Sequence, residues 1–162
     1  MNVEYRLEDP GGSAARGCLD AYYRELDQRF DGGFDPHAAA YSGSAEGVPL
    51  QVKCVVAWLG GVPAGCGFLQ WADQSVGELK RMWVAPHARG RGIARGILQV
   101  LEQAARDAGL TAVRLDTNRV LTEAHALYRS AGYAEIARYS DNPYAHRWFG
   151  KQLQETPDVE AG

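Results

Sequence analysis

Arg89-Gly90-Arg91-Gly92-Ile93-Ala94 is the stretch on which the reading of this chain turns. Before it, Val76 to Val84 has the pattern of a strand and is closed by Ala85-Pro86-His87. After it, Ile93, Leu98, Leu101 and Ala105 recur at helical spacing until Gly109. Glycines let a backbone approach an anion, successive amide N–H groups can share one concavity, and a helix behind them presents the positive end of its dipole. Arg89 and Arg91 add charge at the rim. The stretch therefore predicts a phosphate cradle. It is not an NTPase loop, which needs Gly-Lys-Ser/Thr, because Gly92 is followed by Ile93; nor is it a dinucleotide fingerprint, whose third glycine would stand where Arg95 does.

Working outward, Gly109 ends the helix and Thr111 to Thr117 reads as a strand. A strand, a long helix and a strand in that order predict a parallel crossover. Leu121 to Ser130 reads as a second helix stopped by Gly132, and Tyr133 to Tyr139 and Ala145 to Leu153 as the last strands, around the turn Ser140-Asp141-Asn142-Pro143. Upstream, Leu50 to Leu59, the Gly60-Gly61 turn, Pro63 to Trp71 and Val76 to Val84 form a meander. Val3 to Leu7 is a short strand, and Ala14, Cys18, Ala21, Tyr22, Leu26 and Phe30 form the stripe of a helix closed by Asp31-Gly32-Gly33. Phe34 to Val48 has no stable period and reads as a loop with room for a short helix.

The 162 residues suffice for one domain, spanning 1–153, with 154–162 a polar tail. A net charge of -3 disfavours general nucleic-acid or membrane-surface binding, while the basic run from Lys80 to Arg95 suits a small polyanion. Cys18, Cys54 and Cys66 have neither disulfide-framework nor metal spacing and read as reduced core thiols, so no metal is expected. No leader pattern or membrane-length apolar run is seen, which makes the cytoplasm the expected location.

Order of elements and motifs together resemble the GNAT superfamily of acyl-CoA-dependent N-acetyltransferases over Val3 to Leu153. The family's Arg/Gln-x-x-Gly-x-Gly/Ala signature is met by Arg89, Gly92 and Ala94, and its Ala-x-x-Leu-Tyr-x-x-x-Gly-Phe/Tyr motif by the segment EAHALYRSAGY. RFDGGFDP and DNPYAHRWF are similar to a bacterial subgroup whose domains are sometimes fused to MarR-type regulators. The resemblance implies an α/β fold: a mixed central sheet of about seven strands flanked by about four helices, with the two central parallel strands splayed. It implies acetyl-CoA as donor, its pyrophosphate on the amides of Arg89, Gly90, Arg91, Gly92, Ile93 and Ala94, and its pantetheine arm along the backbone of Met82, Trp83 and Val84. Relatives often carry Asn at the position of Leu121; Asn118 is the nearest substitute, or else caps the following helix. A homodimer through the last strands is common among relatives, though no feature of this sequence requires it.

Acetyl transfer to an amine needs a neutral amine, a stabilised oxyanion and a proton for the departing thiolate. Tyr128 matches the family's general acid, with core packing as the alternative, and the backbone N–H of Val84 is an economical oxyanion donor. The resemblance makes Glu78 the leading proton acceptor, since it stands at the same offset from Arg89 as the general-base glutamate of histone-type relatives from their signature residue; otherwise it is a strand-face ion pair with Lys80, Arg81 or a neighbouring strand. His146 is a second base or a structural histidine. The resemblance implies that the first helices and their connecting loop wall the acceptor, with Tyr22, Glu25, Arg29, Phe34 and His146 as its candidates, Arg29 suiting a carboxylate and Glu25 or Asp27 an ammonium; an amphipathic surface helix explains the same charges. The expected acceptor is the primary amine of a small metabolite, attacked directly in a ternary complex. A protein lysine or N-terminus and a non-catalytic acyl-CoA sensor are the alternatives.

Overall fold

A computed structural model describes residues 2–36 and 51–153. In chain order its elements are β1 (Val3–Glu8), α1 (Ser13–Arg29), β2 (Val52–Leu59), β3 (Val62–Trp71), β4 (Val76–Val84), a 3-10 turn at Pro86–Ala88, α2 (Ile93–Asp107), β5 (Ala112–Thr117), α3 (Thr122–Ser130), β6 (Ala134–Glu135) and β7 (Arg147–Gln152). They form one seven-stranded mixed sheet in the order β1-β2-β3-β4-β5-β7-β6, with β4 and β5 the parallel pair at its centre. Among the described residues there are three α-helices where about four were expected, and the segment allowed a short helix falls mostly at 37–50, outside the described residues, as does the tail from 154. No described helix is long and apolar enough to cross a membrane.

The alternation of the strands divides the core in two. Val55, Leu69, Leu79 and Val113 point to the face covered by α2 and α3, where Ile97, Leu98, Leu101 and Phe149 are almost fully buried. Each such side chain contributes about 1.5–3 kcal/mol of transfer free energy. Cys54, Val56, Cys66 and Phe68 point the other way, onto Ala15 and Cys18 of α1. The three cysteines are free and buried in that second layer, and burial pushes the Cys54 thiol up to about 12.

Two irregularities shape the centre of the sheet. Pairing between β4 and β5 is confined to Val76, Gly77 and Glu78 opposite Ala112, Val113 and Arg114, so the strands diverge beyond Glu78. On the other edge of β4, Cys66 faces Trp83 and Phe68 faces Lys80, which leaves Arg81 and Met82 together opposite Gly67. This is a β-bulge, and Arg81 sits in it with φ 55, the one non-glycine residue with positive φ among those described. A Cβ at Gly67 would come within 2.6 Å of both Ile97 and Met82, so only glycine lets α2 seat this close to the bulge.

The last strands differ from the sequence expectation. In place of Tyr133 to Tyr139, only Ala134–Glu135 pairs with β7. The chain beyond Ile136 follows side-chain partners: Ser140 donates to Asp116 at 2.7 Å, Trp148 donates to Ser140 at 2.9 Å, and Asn118 donates to the Tyr144 carbonyl at 2.8 Å. Residues 140–144 are thereby held against the end of β5.

Candidate active site

The glycine loop builds the first half of the site. Gly90 and Gly92 have φ 82 and 77, a left-handed conformation that an L side chain adopts at a cost, and Gly92 is the N-cap of α2. The first helical bond runs from Gly96 N–H to the Gly92 carbonyl at 3.0 Å, so the amides of 93–95 emerge at the helix end without intrahelical acceptors. No acidic residue stands in that first turn. These amides open on a cavity of about 370 Å³ bounded by Met82, Trp83 and Val84 of β4 and by Leu127 and Tyr128 of α3. Arg89, Gly90, Ile93 and Ala94 also line it, whereas Arg91 is exposed on the same loop outside the lining. Orphaned amides, a left-handed glycine turn and a β4 edge without a strand partner beyond Glu78 fit a ligand with an anionic group and an amide-bearing arm.

Glu25 and Arg29, expected at the acceptor, line this first cavity. Glu25 accepts from Arg89 at 2.6 Å, from the Trp83 indole at 3.3 Å and from Arg29 at 3.3 Å. Arg29 also donates to Glu123 at 2.6 Å and to the Val120 carbonyl at 3.1 Å. The two residues lie one helical turn apart on the side of α1 that looks toward the end of β4 and the start of α3, and their charges tie those elements together. Arg89 is held further by its Nε donating to the Val84 carbonyl at 3.0 Å.

A second cavity, of about 120 Å³, opens on the other side of the gap. Its roof is aromatic: Phe34 packs on Tyr23, Phe30 and Tyr144 with ring centroids 5.6, 5.7 and 4.8 Å apart. Lys80 and Arg81 line the β4 side, and Asp116, Asn118 and Asn142 line the β5 side. The two cavities share Tyr22, Leu26, Met82, Leu121, Ala124 and Tyr128, so they meet where β4 and β5 part.

Tyr128 stands at that meeting point. Its ring packs on Tyr133 and Phe149, and the residue is 6% exposed. Burial, with a smaller contribution from the Asp116 carboxylate, pushes its phenol well above the ordinary range and keeps it protonated. Tyr22 is pushed up in the same way, by burial first.

The other sequence candidates lie off the meeting point. Glu78 lines neither cavity; it is 5% exposed, with Arg114 at 2.8 Å and Lys80 at 3.3 Å, at the last rung before the strands part. His146 lines neither: its Nδ1 accepts the Arg119 amide at 3.1 Å, beside the turn that leads into α3. Asn118 lines the second cavity rather than the first, and its Oδ1 accepts the Val120 amide at 3.0 Å in an Asx turn that starts α3. Sequence reasoning passed over Asp116 and Asn142. An aspartate inside the strand AVRLDT was the available signal.

The sheet order, the parted central strands and the glycine loop at the start of α2 have a counterpart among known proteins. The family model described as "Acetyltransferase (GNAT) family" matches residues 19–133. The chain belongs to the GNAT family of acetyltransferases. The GNAT chain is 33% identical over 139 residues to the uncharacterized N-acetyltransferase YjgM of Escherichia coli, covering 84% of this chain and 71% of that protein. It is 40% identical over 86 residues to the IAA acetyltransferase of Azospirillum brasilense, covering 52% of this chain and 56% of that protein. It thus spans only about half the length of that relative. Solved structures share the GNAT fold: an acetyltransferase of the GNAT family from Staphylococcus aureus with TM-score 0.74 at 15% identity over 94% of this chain and 100% of that one, and a GNAT family acetyltransferase from Elizabethkingia anophelis with acetyl-CoA bound, with TM-score 0.65 at 15% identity over 94% and 99%.

Proposed function

We propose that this protein is an acetyl-CoA-dependent N-acetyltransferase whose acceptor is the primary amine of a small molecule. The observation that carries the reading is the junction: a cavity walled by unpaired amides and an open strand edge meets a smaller cavity walled by side chains, with Tyr128 between them. The acetyl-CoA in the Elizabethkingia anophelis relative supports the donor. The smaller cavity's 120 Å³ supports a compact acceptor over a peptide.

In this reading the amides of 93–95 receive the pyrophosphate, and the open edge of β4 at Met82, Trp83 and Val84 receives the pantetheine amides. Acetyl-CoA, when bound, supplies the thioester carbon that the amine attacks. Direct attack in a ternary complex is favoured because the thiols are buried in the layer beneath α1 and line neither cavity. The Val84 N–H is the oxyanion donor, and Tyr128 holds the proton that the departing sulfur takes. The hydroxyl suits that task because burial keeps it protonated. Glu78 we assign to bracing the root of the gap, since Arg114 and Lys80 occupy its carboxylate.

Steady-state release of CoA across amino acids, polyamines, aminoglycosides and lysine peptides tests this function. Turnover with small amines and none with peptides is the expected result. Binding of acetyl-CoA without turnover of any amine would defeat it.

A further inference from the structure

Beyond Glu78 the strand that bears the donor edge has lost one of its two neighbours. β5 no longer pairs with it, and the bulge at Arg81 and Met82 interrupts its register on β3. Pairing with β3 resumes at Trp83 and Val84, and the Ala85 N–H donates to the Ala64 carbonyl at 2.8 Å. Successive residues of an antiparallel strand turn their backbone groups to opposite edges, so with Ala85 bonded to β3 the N–H and C=O of Val84 face the gap. In the reading above that N–H is the oxyanion donor, and such a donor works only when it is aimed.

One carboxylate brackets the peptide that bears it. Glu25 Oε1 accepts the Trp83 indole N–H at 3.3 Å and Arg89 Nη2 at 2.6 Å. Arg89 in turn donates from Nε to the Val84 carbonyl at 3.0 Å. The Trp83–Val84 peptide is thus held before it through the Trp83 side chain and after it through the Val84 carbonyl, both tied to the same oxygen. The other oxygen, Oε2, accepts from Arg29 at 3.3 Å, and Arg29 is fixed in turn on the Val120 carbonyl at 3.1 Å and on Glu123 at 2.6 Å. Glu25 is therefore anchored to the start of α3 as well as to α1. The place of Arg89 in the glycine loop suggests a phosphate ligand, yet its guanidinium is engaged at two nitrogens and its charge is answered by Glu25.

Resting on the N-acetyltransferase reading above, we propose that Glu25 and Arg89 are positioning residues: they clamp the Trp83–Val84 peptide and aim the Val84 N–H at the oxygen of the reacting carbonyl. Both act through the backbone and touch no reacting atom. An interaction that strengthens only as charge develops on that oxygen stabilises the transition state and not the bound donor. Loosening the clamp therefore slows the chemical step and spares the affinity for acetyl-CoA.

The test is the single-turnover rate of CoA formation at saturating amine, measured beside calorimetric affinity for acetyl-CoA. Glu25→Ala should slow the rate about thirtyfold with affinity kept within about threefold, and Glu25→Gln, whose amide oxygen still accepts from both donors, should recover most of the rate. Arg89→Lys keeps the charge but presents one nitrogen where the guanidinium presents two, so it should slow the rate about tenfold. Because the clamp acts on the acetyl group, the slowing should be the same for every amine turned over. A wild-type rate in Glu25→Ala or in Arg89→Lys would overturn the proposal and leave the N-acetyltransferase reading standing. Parallel losses of rate and affinity would overturn it too, making Glu25 a brace of the whole pocket. Absence of turnover in the wild-type protein would remove the N-acetyltransferase reading and the clamp with it.

Discussion

The two cavities on either side of the β4–β5 gap are built from different materials. The larger has a backbone floor of left-handed glycines, helix-end amides and an open strand edge, flanked by side chains of α1 and α3. The smaller is made of side chains drawn from α1, β4, β5 and the segment before β7, which are far apart in the chain. A backbone site depends on where glycine is allowed and tolerates variation elsewhere. A side-chain site can be respecified one residue at a time.

The strongest way to break this contrast is Gly92→Asp. It puts a side chain at φ 77 and a negative charge at the helix end, so acetyl-CoA affinity by calorimetry should fall at least about a hundredfold, roughly 2.7 kcal/mol. Unchanged affinity would mean that the amides of 93–95 hold nothing.

The same contrast explains what the sequence disclosed. The glycine turn and the helix start behind it were legible because their determinants are contiguous: Arg89 to Ala94 between a strand pattern and a helix pattern. The parallel crossover followed from element order alone. Glu25 and Arg29 were expected at the acceptor because the resemblance has the first helices wall that pocket; in the structure they line the cavity beside the glycine loop, where α1 packs toward β4 and α3. Asp116 offered only the signal of an aspartate inside a strand, and Asn142 none, since nothing in their local pattern says which surfaces they meet across the gap. The strand expected over Tyr133 to Tyr139 failed for a related reason, because Ser140 and the Tyr144 carbonyl bond to Asp116 and Asn118, distant in sequence, rather than continuing the sheet.

Tyr128→Phe sharpens the contrast by striking the shared wall. It should lower kcat about a hundredfold and leave acetyl-CoA affinity within about twofold. Because the folded phenol is raised, the protonated acid persists as pH climbs, so wild-type kcat should show no fall through the ordinary phenol range near about 10, read from a pH–rate profile. A decline starting at or below that range would assign the proton to another group.

Phe34→Ala should act on one side only. Losing the ring that contacts Tyr23, Phe30 and Tyr144 should raise acceptor KM about tenfold without altering acetyl-CoA affinity. The smallest kinetic effect is expected from Glu78→Gln. It strands two cations near a buried neutral amide and should cost about 2 kcal/mol in denaturant-unfolding stability, allowing for the partial exposure of Arg114, with kcat lowered less than about threefold. A large fall in kcat at neutral pH that recovers at high pH would instead make Glu78 the proton acceptor.

The most direct measurement is a crystal structure of the protein with acetyl-CoA or CoA. The account predicts the pyrophosphate on the amides of 93–95, the pantetheine arm along Met82 to Val84, and the sulfur within hydrogen-bond reach of the Tyr128 hydroxyl at the mouth of the smaller cavity. A pyrophosphate bound elsewhere, or a sulfur directed away from Tyr128, would contradict it.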